Sequence, residues 1–100
     1  MTERVGTAGD ESPRFLVVNT PRPATEVDRD AVAGHLAFLA AHLDDGTVTM
    51  SGPFPGGGGA YVLRAPSAEV AWSVVLADPL YPVSDFVVRE WSVPAPDAGS

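Results

Sequence analysis

Strand-like segments near both ends of this chain are apolar on two faces, and this restricts what it can fold into. In Arg14-Phe-Leu-Val-Val-Asn-Thr20, Phe15 and Val17 point one way, Leu16 and Val18 the other. In the last segment, Val83, Val87, Trp91 and Val93 oppose Phe86 and Val88. An antiparallel sheet with one wet side alternates cleanly between apolar and polar residues. This sheet needs cover on both sides. Helices can supply one cover. A symmetric partner laying its own sheet face against the other is the simplest second cover, and a partly wetted face is the alternative.

Between those segments the punctuation is clear. Pro21 and Pro23 stop the first strand. Asp28 to Asp44 reads as a helix, with Thr25 and Asp28 as an N-terminal capping pair and Gly46 as the stop. Its stripe Val32, Leu36, Leu39, Leu43 has helical spacing and is expected to face the sheet. Thr47 to Ser51 and Ala60 to Arg64 read as strands joined through Pro55-Gly-Gly-Gly-Gly59. Ser67 caps a second helix reaching Ala77, with Glu69 favourable in its first turn. Residues 83–93 close the set as a strand. The order β-α-β-β-α-β predicts an α+β, ferredoxin-like fold, an antiparallel sheet with two helices on one face. Residues 1–13 and 94–100 are expected to be flexible tails around one domain, 14–93.

Composition narrows the function classes. The chain has 100 residues, a net charge of −7, six cations that are all Arg, and no cysteine. Nucleic acid and anionic membrane both call for clustered cations, so neither is expected as a partner. No apolar run approaches the roughly 20 residues that span a bilayer. Thiolate chemistry and Cys-based metal centres are excluded, and a cytoplasmic location follows by elimination.

One carboxylate sits in an awkward place. Asp78, at the end of the second helix, extrapolates to the side bearing Val70, Ala71, Val74 and Val75. There it opposes the macrodipole and faces a core, which is costly unless it is paired. His35, in the middle of the first helix at the edge of its apolar stripe, is a candidate partner. A carboxylate on one imidazole nitrogen fixes the tautomer and raises the basicity of the other nitrogen. The competing reading is a solvated helical His35 and an Asp78 that receives local backbone donors. His42 reads as surface, and its seven-residue spacing from His35 is not a metal-ligand signature. Ser51-Gly52-Pro53 at a strand end offers a hydroxyl and backbone groups to a substrate or to His35. Without a Gly-x-Ser-x-Gly elbow it does not read as a hydrolase nucleophile. The four glycines join two strands and are followed by no Lys-Ser/Thr, so they read as a flexible hairpin loop over the site and not as a phosphate cradle. Arg89 could hold an anionic substrate or pair with a surface acid.

These residues resemble a known family. His35, Gly46-Thr-Val-Thr-Met-Ser-Gly-Pro-Phe54, Ser67-Ala-Glu-Val-Ala71, Ala77-Asp-Pro-Leu80 and Val88-Arg-Glu-Trp-Ser92 together look like the YciI-like (YCII-related) proteins, over roughly residues 14–93. The resemblance implies a ferredoxin-like fold that pairs into a dimeric α/β barrel, hence a homodimer through the sheet faces. It also implies a pocket with a His–Asp dyad at His35 and Asp78. Ser51, Gly52, Pro53 and Tyr81 are the expected substrate contacts beside that dyad. A related branch removes chloride from a chlorinated hydroxyhydroquinone, and wider kin isomerise lactones or oxidise aromatics without a metal. The activity implied is therefore a lyase or isomerase with no metal or cofactor, moving a proton on a small aromatic or enolic metabolite. The alternative is a non-catalytic dimeric module that binds a small ligand or serves as an accessory subunit. Two departures fall where substrate would sit. Leu80 separates Asp78-Pro79 from Tyr81, and the glycine loop is unusually bare.

Overall fold

The computed structural model describes residues 13–23 and 26–92. Six main elements follow the expected order: β1 (Arg14–Pro21), α1 (Arg29–Asp45), β2 (Val48–Pro53), β3 (Gly59–Arg64), α2 (Ala68–Leu76) and β4 (Ser84–Trp91). The four strands form one antiparallel sheet in the order β2-β3-β1-β4. This is the ferredoxin-like arrangement.

Sheet register decides what each face carries. Phe15 pairs with Leu63 and Val17 with Tyr61, and all four are buried. They form the core with Ala71 and Val75 of α2, and Phe38 and Leu39 of α1 pack against it. Both helices therefore cover this one face. On the opposite face Leu16 stands between Val62 and Arg89, and Val18 between Ala60 and Val87. Apolar side chains do occupy both faces, and on the helix-free face Met50, Val87 and Trp91 are exposed.

Local chemistry sets the element ends. Ser67 accepts from the Val70 amide at 3.2 Å and caps α2. Asp28 caps α1 by accepting from the Asp30 amide, so that helix starts one residue later than expected. Thr25, the other half of the expected capping pair, lies outside the described residues, as do residues 1–12 and 93–100. Gly46 closes α1 in the left-handed conformation (φ 86°). β2 runs on to Pro53, which an edge strand tolerates because Pro withholds only an outward donor.

Two expectations need correction. Val83 does not belong to β4: residues Tyr81–Val83 form a 3₁₀ turn, with the Val83 amide bonded to the Leu80 carbonyl at 3.0 Å. Pro82 fits the start of such a turn and delays the strand to Ser84. The stripe expected to bury α1 is also misphased. Val32, Leu36 and Leu43 are 40%, 59% and 44% exposed, and the inward side carries His35, Phe38, Leu39 and His42. His42 is half-buried, edge-on to Phe38 with ring centroids 4.7 Å apart, and is not a surface residue.

Candidate active site

The chain leaves α2 through a tight turn that holds Asp78. Its own amide donates to the Val75 carbonyl, its carbonyl accepts from the Tyr81 amide, and its Oδ1 accepts from the Leu80 amide at 2.9 Å. Pro79 fits this turn because it need donate nothing. The carboxylate is thereby fixed from its own side with its side chain fully buried. From the facing helix, His35 Nδ1 lies 2.8 Å from Oδ1 and 2.9 Å from Oδ2. With Asp78 ionised, Nδ1 carries the hydrogen and donates it, leaving Nε2 with the free electron pair.

Tyr61, directly across β3, is the third member of this cluster. Its hydroxyl is buried and makes no hydrogen bond of good geometry. Burial first, and then the negative charge and acceptor oxygens of nearby Asp78, push its phenol well above the ordinary tyrosine range. The phenol therefore stays protonated.

His35 opens onto a cavity of about 410 Å³ between α1, the β2–β3 hairpin and the end of β1. Val32, Leu36, Leu39 and Leu80 make its apolar wall, and Asn19, Ser51, Tyr61 and Ser84 are its neutral polar groups. Among the described residues its lining includes no Asp, Glu, Lys or Arg, since Asp78 stands behind His35. That volume matches pockets for small organic molecules, and the neutral lining suits a mostly apolar guest with a few oxygens.

The site residues expected from sequence separate into two groups. His35, Ser51, Gly52 and Pro53 line the cavity, and Asp78 backs it through His35. Tyr81 is elsewhere: the 3₁₀ turn aims its ring at Trp72 and Phe86, with centroids 6.5 Å and 5.6 Å away. Arg89 is exposed on the opposite sheet face, beside Leu16. Gly58 and Gly59 also line the cavity, in a hairpin closed by the Phe54 amide on the Gly58 carbonyl at 2.8 Å. A Cβ on Gly58 would collide with the Asn19 carbonyl oxygen, so that glycine lets the hairpin close against β1. Among the described residues no group of three or more His, Cys, Asp or Glu could hold a metal ion.

Sequence reasoning missed Asn19, Tyr61 and Ser84. A signal was present for one of them: Asn19 continues the Phe15–Val17 alternation, which puts a polar side chain on the buried face. A model of the YCII-related domain matches residues 14–92. The chain belongs to the YCII-related family. It is 38% identical over 69 residues to the uncharacterized protein YjpA of Bacillus subtilis (strain 168), a match spanning 66% of this chain and 81% of YjpA. Among solved structures, this YCII-related protein resembles the 5-chloro-2-hydroxyhydroquinone dehydrochlorinase TftG from Burkholderia phenoliruptrix AC1100, in complex with 2,5-dihydroxybenzoquinone. The TM-score is 0.68 at 25% identity, covering 81% of this chain and 95% of that one.

Proposed function

We propose that this protein is a lyase or isomerase that needs no cofactor and moves a proton on a small aromatic or enolic metabolite. The observation that carries the reading is a buried carboxylate bonded to Nδ1 of a histidine that lines a ring-sized, mostly apolar cavity. Nε2 of His35 takes a proton from an acidic C–H or O–H of the bound molecule. The electron pair left behind either expels a leaving group or is reprotonated at another atom by the same imidazolium. Asp78 holds the ring and stabilises its charged form, and Ser51 with the Gly52 and Pro53 backbone offers polar contacts. General acid–base work of this kind supplies roughly 10²–10⁴ in rate, enough for an activated substrate. The likeness to a dehydrochlorinase solved with a dihydroxybenzoquinone supports the same substrate class.

The apolar, helix-free sheet face supports a second part of the proposal, a homodimer through that face. Met50 is 67% exposed there, Val87 52% and Trp91 46%. Sedimentation velocity is expected to give twice the chain mass, and a monomer at micromolar concentration would remove this part.

A thermal-shift screen against phenols, quinones and keto acids, followed by turnover assays on the hits, tests the reaction. His35→Asn keeps an N–H at the Nδ1 position for Asp78 but removes the base, so turnover is expected to vanish with ligand binding retained. Full turnover in that variant refutes the proposal. Hits that bind and are never turned over favour a ligand-binding or accessory module instead.

A further inference from the structure

Gly34 is an odd residue for the middle of a 17-residue helix, because glycine there disfavours the helix relative to alanine. Its φ is ordinarily helical, so no backbone requirement explains it. Its surroundings do. A Cβ at position 34 would lie 3.0 Å from Cγ and 3.3 Å from Cβ of Pro79, inside the roughly 3.5–4.0 Å of normal carbon–carbon contact. Gly34 immediately precedes His35, and Pro79 immediately follows Asp78. The bare glycine face and the proline ring are thus packed together right beside the 2.8 Å contact between imidazole and carboxylate. The proline ring is stiff and its turn is pinned by Asp78, through the Leu80 and Tyr81 amides. An added methyl group therefore displaces α1, which has no fully buried residue to resist it.

We propose that Gly34 is a positioning residue: its missing side chain sets the approach of α1 to the Asp78–Pro79 turn and so the length of the His35–Asp78 hydrogen bond. This rests on that pair being the working unit of the proposed reaction. Retreat by a few tenths of an ångström takes the 2.8 Å contact out of the roughly 2.7–2.9 Å of a charge-assisted hydrogen bond and weakens its hold on the imidazole tautomer. Helix propensity and dyad geometry thus pull in opposite directions at one position, which lets a positioning role be told from a structural one.

The readout is the imidazole itself. In ¹⁵N-labelled protein, a carboxylate-bonded Nδ1–H gives a downfield proton signal protected from exchange, and the nitrogen shifts identify the tautomer. The chain has two histidines, so His42→Gln assigns the signal to His35. The expectation is a protected Nδ1–H signal in the wild type, its loss in Gly34→Ala with a smaller fall in thermal stability than His35→Ala causes, and its return in Gly34→Ala/Pro79→Ala, where the obstructing ring is gone. A Gly34→Ala protein that keeps the protected signal overturns the role of Gly34 while leaving the dyad standing. A wild type without the signal overturns both. Should Gly34→Ala fail to fold, the double variant decides: recovery of the signal supports the proposal, and its absence overturns it.

Discussion

The two helices lie on the same sheet face yet are held very differently. α2 is nine residues long and sinks Ala71 and Val75 completely into the core. α1 is almost twice as long and buries no residue fully. It rests on Phe38 and Leu39, leaves Val32, Leu36 and Leu43 at least 40% exposed, and is tied to the turn after α2 by His35. The acid thus sits in the turn that follows the firmly anchored helix and the base on the loosely anchored one, with the cavity along the loose one. A polar pair supplements the partial burial of Phe38 and Leu39 in holding α1, so α1 depends on the dyad more than α2 does.

That contrast orders the expected losses in chemical denaturation. His35→Ala, which strands a buried carboxylate, is expected to cost about 3–5 kcal/mol, a large share of the roughly 5–15 kcal/mol a domain possesses. Val75→Ala in the anchored helix is expected to cost about 2 kcal/mol through the cavity it leaves. Leu36→Ala in α1, although the larger truncation, is expected to cost under about 0.5 kcal/mol. If Leu36→Ala proves the equal of Val75→Ala, the two helices are equally anchored and the comparison fails.

A smaller effect comes from Tyr61, whose phenol is held protonated by burial and by Asp78. A folded-state value raised above the unfolded one contributes stability that is whole below the unfolded pKa near 10 and is lost as pH rises beyond it. Alkaline unfolding is therefore expected to set in above about pH 10, with a slope of up to about 1.4 kcal/mol per pH unit from this group. Tyr61→Phe should flatten that part of the profile. An unchanged slope would show that neither burial nor Asp78 raises the Tyr61 phenol in the folded protein.

The architecture was readable because each boundary has a local cause: Pro21, Gly46, the glycine run and Ser67 punctuate segments of clear period. The phase of α1 was not. Ala31, Ala33, Ala37, Ala40 and Ala41 blur the contrast between its faces, so the Val32–Leu43 stripe looked like the buried side. The side that faces inward is the one that brings His35 to Asp78 and Gly34 to Pro79, and those are contacts between residues more than forty positions apart. Asp78 was legible because an acid on a buried face needs a partner. Tyr61 and Ser84 looked like ordinary strand residues until strand pairing set them beside the cavity. Tyr81 was placed in the site by its nearness to Asp78 in sequence, and the turn through Pro82 carried its ring to Trp72 and Phe86 instead.

A double-mutant cycle on His35 and Asp78, read by denaturant unfolding, measures the central pairing most directly. His35→Ala/Asp78→Ala is expected to be more stable than the sum of the single losses allows, by about 1.5–3 kcal/mol, because the second change removes the charge that the first left unpaired. Single losses that simply add, within about 0.5 kcal/mol, would show that the two residues do not act as one unit and would contradict the account.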